Sequence, residues 1–487
     1  MGQKCHQMYI DGAWVDSLGG ETFQSCSPAT GEVIAEMPKG TREDARRAIA
    51  AAKAHKHRIA HMAPFERAKL CHRVSDLIEN RREEIARVLT LEQGKPYHTE
   101  ALVEVDECVE YFRTAAEDIK RLETSVIPSG NANKRVLTVR PPRGVYAVIS
   151  PWNWPLTMPA EFLAPGLAAG NAIVWAPAST TSLVAVKLAE CIAEAGVPEG
   201  VFNLITGPGE VVGDEIAGHA NTDAIAFVGS TEVGRHVARR GAGKPMLLEL
   251  GGNGPMVILD DADIKKAVRG TVLGCFLCAG QSCTAGERIL VQQAIHDEFV
   301  ERLTEATKTI VLGDPFNERT TMGPLNNDSV ASKMDLHVQD ALSKKATLLC
   351  GGHRASGFPT NLYYQPTILD HVSTEMLVSQ EETFGPIAPI ITFSSDEECL
   401  ALANKSEYGL LSSVYTRDLS RAFYFAERME TGWVNINESS NYWETHLPFG
   451  GRSGKGSGVG RVGGKYGLLE MTDLKTIVID VTGDSEQ

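Results

Sequence analysis

The sequence predicts an α/β protein with a parallel-sheet lobe, a second α/β lobe and a small β element. Three observations carry this. From about Gly144 to Asp260 short apolar runs alternate with helical patterns, and after Asp261 a second alternation of the same kind begins. Two further strand-like segments, KRVLTVRPP near residue 134 and TIVIDV near the C-terminus, fit neither lobe.

The first 120 residues read as helical after Glu43, with DARRAIAAAKAHKHRIA and an amphipathic run from Phe65 to Leu91 expected to pack on the sheet. The first lobe then runs GVYAVIS, AEFLAPGLAAG, NAIVWAP, SLVAVKLAECIAEAG, VFNLITG, AIAFVGS, VGRHVARR and MLLELGG. In its second helix Lys187, Glu190 and Glu194 fall three and four apart, leaving Val184, Leu188 and Cys191 for the buried side, and Gly196 with Pro198 stops it. In the second lobe a helix from Asp263 precedes the strand ERILVQQ, a helix through EFVERLTEATKTIVLG, and strands around TLLCGG, IAPIITF and SSVYT. The two unplaced strands would carry open edges, covered either by another subunit or by joining a parent sheet.

Length and composition bound the function. A chain of 487 residues with 43% hydrophobic content forms two or three compact units. A net charge of -15 without a dense Lys/Arg block argues against nucleic acid. The start MGQKCHQMYIDG lacks an apolar signal core, so the cytoplasm is the expected location. The apolar stretch Gly144 to Ala178 is broken by Pro151, Pro155, Pro159 and Pro165, which argues against a membrane span. Ten scattered cysteines suit a reducing compartment.

Cys275, Cys278 and Cys283 have a C-x2-C-x4-C spacing open to a metal reading. Ile264, Ala267, Val268, Thr271, Val272 and Cys275 form one helical stripe, however, so Cys275 and Cys278 read as core thiols and no metal is expected. Cys283 follows Gly280-Gln281-Ser282, where the stripe ends, and can emerge as a nucleophile between lobes; burial is the ordinary alternative for a cysteine. Glu249 ends an apolar strand before Gly-Gly, at the kind of strand tip where α/β sites form, and a half-apolar setting would raise its pKa toward that of a general base. A surface turn is its bland reading. Asn153 in ISPWNWP is placed to donate to a developing oxyanion, or simply to make a turn before proline. No G-x-G-x-x-G follows a strand; instead Gly229 and Ser230 open a helix whose amides suit a pyrophosphate or need only an N-cap.

Six motifs in one order, PWNWP, AFVGSTEVG, LELGGNGP, GQSCTAGER, EETFGPIAPI and HLPFGG, resemble the aldehyde dehydrogenase superfamily from end to end. The thirty-four residues from Glu249 to Cys283 suit its glutamate and cysteine. The resemblance implies a dinucleotide-binding domain of residues 1–121 and 142–251, a catalytic domain of 252–450, and an oligomerisation element of 122–141 and 465–487 in a homodimer or homotetramer. It makes Cys283 the nucleophile, Glu249 the general base, and Asn153 with the Cys283 amide the oxyanion donors. A thiohemiacetal would pass hydride to NAD or NADP and leave a thioester, hydrolysed with help from Glu249. Glu382 would meet the nicotinamide ribose, Phe384 the ring and Ser230 the pyrophosphate, with Trp152 in the same cleft.

Four departures limit the carry-over. A lysine and a glutamate that meet the adenosine ribose are here Ala176 and Ser179, which leaves NAD and NADP open. ELGGK is ELGGN, with Asn253. The motif PFGGRSGKGSGVGRVGG carries two extra residues, expected to reshape the substrate mouth. Succinic semialdehyde enzymes carry an arginine where this chain has Glu161, so the small-molecule substrate is expected to be a neutral, hydroxylated, aromatic or cationic aldehyde rather than succinic semialdehyde. Glu161, Trp154, Ser282, Thr284, Tyr442 and Trp443 are expected to line its pocket. A coenzyme A-acylating enzyme and a catalytically retired scaffold of the same fold are the competing readings.

Overall fold

In the computed structural model, which describes residues 6–482, the chain forms two large sheets and two small ones. The expected units also included residues 1–5 and 483–487, which lie outside the described residues.

The first sheet has eight strands. Its parallel centre runs Met246–Glu249, Ala224–Val228, Val145–Ile149, Ala172–Ala176 and Phe202–Leu204. These strands are almost wholly buried because helices Arg42–Ala60, Thr157–Ala169, Ser182–Glu194 and Thr231–Arg240 pack against them. Each fully buried large apolar side chain contributes roughly 1.5–3 kcal/mol, which is why unbroken apolar runs mark the centre. Antiparallel strands close the edges: Gly458–Val459 beside Met246–Glu249, and Met8–Ile10 with Ala13–Val15 beyond Phe202–Leu204.

The second sheet has seven strands, ordered Thr347–Cys350, Thr367–Asp370, Ile387–Phe393, Gly286–Gln292, Gly254–Ile258, Leu411–Tyr415 and Trp433–Ile436, parallel except at the first. Helix Ile264–Phe276 buries Ala267, Val268, Thr271 and Cys275 against it, the face read from the sequence.

The unplaced strands join neither large sheet. Lys475–Asp480 pairs antiparallel with Lys134–Val139, which pairs with Val126–Ile127, to make a separate sheet. Val126, Ile127, Leu474, Val478 and Ile479 on and beside it are exposed. Helix Gly464–Glu470, expected to share a unit with these strands, packs instead on helices Leu102–Ile119 and Thr157–Ala169 of the first lobe, because Leu468 and the flanking Val462 and Met471 are buried there. Among the described residues no helix is long and apolar enough to cross a membrane.

Candidate active site

Strand tips from the first sheet and a turn from the second lobe meet around Cys283. Helix Ile264–Phe276 ends at Leu277, and Cys278 and Ala279 follow with φ of +53° each. Such left-handed residues cost about 1–3 kcal/mol apiece and persist only when surroundings enforce them. Here Glu100 accepts from the Cys278 amide at 3.2 Å, Gln281 Nε2 donates to the Cys278 carbonyl at 2.9 Å, and the Asn326 amide donates to Gln281 Oε1 at 2.9 Å. Gly252 lets the strand tip approach: a Cβ there would stand 2.0 Å from the Cys283 carbonyl oxygen.

Asn153 follows strand Val145–Ile149 and donates one amide proton to the Gln281 carbonyl at 3.0 Å. That bond fixes the amide and leaves its second N–H for an oxygen near Cys283. Glu249 ends its strand 2% exposed, and neither carboxylate oxygen has a hydrogen-bond partner. Burial first and the Glu161 charge second hold its pKa well above the ordinary carboxylate value, opposed by Arg461. Burial, then Glu249, Glu382 and Glu161, likewise push the Cys283 thiol well up.

Cys283 lies between two cavities, and it lines both together with Met158. One, of about 250 Å³, is lined by Trp152, Asn153, Gly229, Ser230, Lys333, Glu382 and Phe384, among others. Ser230 is the N-cap of helix Thr231–Arg240 and accepts from the Val233 amide. Glu382 accepts from the Gly252 amide at 2.8 Å. Glu287 accepts from the Thr383 and Phe384 amides, both at 2.7 Å, and so holds Phe384 at φ +59°, its ring edge-on to Trp152 with centroids 5.6 Å apart. Asn253 Nδ2 donates to the Glu381 carbonyl at 3.0 Å, tying the Glu249 loop to this segment. Aromatic faces, a helix N-terminus and a carboxylate fit the ring, pyrophosphate and ribose of a dinucleotide. Ala176 and Ser179 lie outside this cavity, although at the same carboxyl end of the sheet: Ala176 is buried at its strand tip, and Ser179 donates to the Gly207 carbonyl at 2.9 Å.

The other cavity, of about 220 Å³, is lined by Trp154, Ser282, Thr284, Tyr442 and Trp443, and also by Glu107, Glu438 and Phe449. No lysine or arginine lines it among the described residues. Glu161, expected to line it, is not among its lining residues. It is 1% exposed behind the wall, where it accepts from the Tyr111 hydroxyl because helix Thr157–Ala169 is buried on all sides. Glu107 takes the place at the cavity, accepting from Thr157 Oγ1 at 2.9 Å and Trp443 Nε1 at 3.2 Å, its pKa pushed up to about 7 by burial. Sequence reasoning missed it, although Glu104, Glu107 and Tyr111 stand three and four apart on one face of Leu102–Ile119.

The extended glycine-rich loop also departs from expectation. Lys455 donates to the Asn404 and Ser406 carbonyls at 2.9 Å each, and Thr231 Oγ1 donates to the Gly456 carbonyl at 3.0 Å. The extra residues therefore lie beside helix Thr231–Arg240, and only the preceding Phe449 reaches the cavity.

Burial pushes the Glu161 carboxyl up to about 8. The folded chain thus keeps a proton on Glu161 in a pH range where the unfolded chain has released it, so this group lowers stability as pH rises toward 8, by up to about 1.4 kcal/mol per unit. Glu92, Glu100 and Glu107, each raised to about 7, act in the same direction lower in the range. Glu161→Gln, which can still accept from Tyr111, is expected to flatten the fall of Tm between pH 7 and 8. Identical Tm profiles for the two proteins would show that Glu161 titrates normally.

Residues 14–477 match the family profile described as "Aldehyde dehydrogenase family". The chain is 39% identical over 477 residues to a glutarate-semialdehyde dehydrogenase of Pseudomonas putida, covering 98% of each chain. It is 39% identical to an NADP(+) succinate-semialdehyde dehydrogenase of Escherichia coli, covering 97% of each. A crystal structure of betaine aldehyde dehydrogenase from Staphylococcus aureus in complex with NAD+ superposes with a TM-score of 0.95 at 35% identity, over 99% of this chain and 95% of that one. The chain is an enzyme of the aldehyde dehydrogenase family.

Proposed function

We propose that the chain oxidises an aldehyde to a carboxylic acid with NAD or NADP, through a thioester on Cys283 that water hydrolyses with Glu249 as general base. The observation that carries this is the buried Glu249 carboxylate, unpartnered at both oxygens and close enough to Cys283 to raise the thiol pKa. Leaving such a group unsatisfied is costly, and a water brought to it gains a strong acceptor.

The Cys283 thiol releases its proton to solvent, and Sγ bonds the aldehyde carbon while the carbonyl electrons move to oxygen, which the free Asn153 N–H and the Cys283 amide hold. Nicotinamide bound in the cavity lined by Trp152 and Phe384 would supply the hydride acceptor. As the C=O re-forms, the carbon loses hydride and remains bonded to Sγ as a thioester. Glu249 then takes a proton from water, the water oxygen bonds the acyl carbon, and the C–S bond breaks to return Cys283. Acylated Cys283 carries no charge, so its repulsion of the Glu249 carboxylate ends at the step that needs the base.

The substrate side points to a neutral, hydroxylated, aromatic or cationic aldehyde. Glu438, and Glu107 when ionised, would repel a second carboxylate, no lysine or arginine lines the cavity to bind one, and the rings of Tyr442 and Trp443 suit an uncharged or cationic group. This reading separates the chain from relatives named for semialdehydes of dicarboxylic acids. A panel of aldehydes with each cofactor, with and without coenzyme A, is expected to yield free acid and a higher kcat/KM for uncharged or cationic aldehydes than for succinic semialdehyde. Acyl-CoA as product, or succinic semialdehyde as the best substrate, would overturn the corresponding part. The exposed apolar residues Val126, Ile127, Val478 and Ile479 support a homodimer or homotetramer, which sedimentation velocity distinguishes from a monomer.

A further inference from the structure

Outside both cavities, His296 opens helix His296–Thr307, Asp370 ends strand Thr367–Asp370, and His371 follows it. His296 Nε2 lies 3.0 Å from Asp370 Oδ1 and His371 Nδ1 lies 2.9 Å from Asp370 Oδ2. One ligand atom from each residue falls within 4.8 Å of the others. Asp370 is 4% exposed, and the His296 side chain 12%.

Carboxylates meet the His296 ring at both nitrogens. His296 Nδ1 also faces a carboxylate, Asp297 Oδ1, at 2.9 Å. A neutral imidazole has one N–H, so at the second contact a lone pair would oppose a carboxylate unless a cation stands between them. A second proton is one such cation, and a divalent metal on Nε2 is another. In the second case Asp297 would hold Nδ1–H, as a carboxylate behind a metal-bound histidine commonly does. Independently, His371 is held left-handed at φ +56°, with its amide donating to Asp370 Oδ1 at 2.7 Å. That strained turn keeps the second imidazole beside the same carboxylate, its ring centroid 5.6 Å from that of His296.

We propose that His296, Asp370 and His371 form a divalent-cation site, completed by water, that clamps the start of one helix of the second lobe to the end of a sheet strand. Two imidazoles and one carboxylate favour Zn²⁺ over Mg²⁺ or Ca²⁺. Tetrahedral zinc with bonds of about 2.0–2.2 Å separates neighbouring ligand atoms by about 3.3–3.5 Å; the imidazole–carboxylate contacts of 3.0 and 2.9 Å would open toward that value, and the wider pairs within the 4.8 Å set would close toward it. The site touches none of the groups around Cys283, so its effect is on stability rather than turnover.

The test uses full-length protein stripped with chelator, with accessible thiols alkylated in every sample because a thiolate also takes zinc. Calorimetric titration with Zn²⁺ alone is expected to give one ion per chain and a higher Tm. His371→Asn and His296→Asn are each expected to weaken binding at least tenfold, and Asp297→Asn about tenfold. His371 is largely exposed, so its variant folds even if others do not. In metal-free assay, before alkylation, His371→Asn is expected to keep the wild-type kcat, because the site lies outside both cavities. No binding to the wild-type chain, or unchanged stoichiometry and affinity in both histidine variants, would overturn the proposal.

Discussion

Cys283→Ala is expected to lower acid formation by about 10⁴-fold or more, because no other group at the junction of the two cavities can bond the aldehyde carbon. The other nearby thiols cannot substitute. Cys275 and Cys278 are buried, Cys278 pushed up to about 12 by burial and Cys275 further still. Alanine removes only the sulfur, and the turn is held by Glu100, Gln281 and Asn326, so folding should survive. Steady-state assay beside a thermal melt checks both statements. A native-like melt with activity within tenfold of wild type would remove Cys283 from the chemistry.

Glu249→Gln separates the two halves of the reaction. The amide keeps the shape of the strand tip but cannot take a proton, so hydride transfer should proceed once per site and hydrolysis should slow by about 10²–10⁴-fold. Rapid mixing with aldehyde and cofactor is expected to show a burst of reduced nicotinamide close to one per active chain, followed by a nearly flat phase. The substitution also removes the second-largest influence raising the Cys283 thiol pKa. Alkylation of Cys283 in the cofactor-free variant should therefore reach half-maximal rate at a lower pH than in wild type. A steady state without a burst, or an unchanged alkylation profile, would argue that the carboxylate at 249 stands apart from the sulfur.

Much of this architecture was legible because it obeys simple periodicities. Val145–Ile149, Ala172–Ala176 and Ala224–Val228 are buried on both faces and announce themselves as apolar runs, and the stripe through Ala267, Thr271 and Cys275 identifies a helix face. Strands Met8–Ile10 and Ala13–Val15 are three residues each, too short to show a period, and were not legible.

The candidate site divides in the same way. Trp152, Ser230, Glu382 and Phe384 line one cavity, Trp154, Tyr442 and Trp443 line the other, and Cys283 lines both, because strand tips and turn motifs converge where parallel sheets end. Glu161 shows the limit. Its position along the chain points to the pocket, but the direction of its side chain depends on the packing of Tyr111 from another helix. Glu107 reaches the cavity through contacts with Thr157 and Trp443, fifty and several hundred residues away. Such long-range pairing leaves no local pattern.

The most direct test is the mass of the peptide containing Cys283 from Glu249→Gln protein quenched after one turnover. A gain equal to the acyl group in place of the thiol hydrogen, confined to Cys283 and matched to the reduced cofactor formed, is the expected result. Reduced cofactor with Cys283 unmodified, or an acyl group on another residue, would contradict the account.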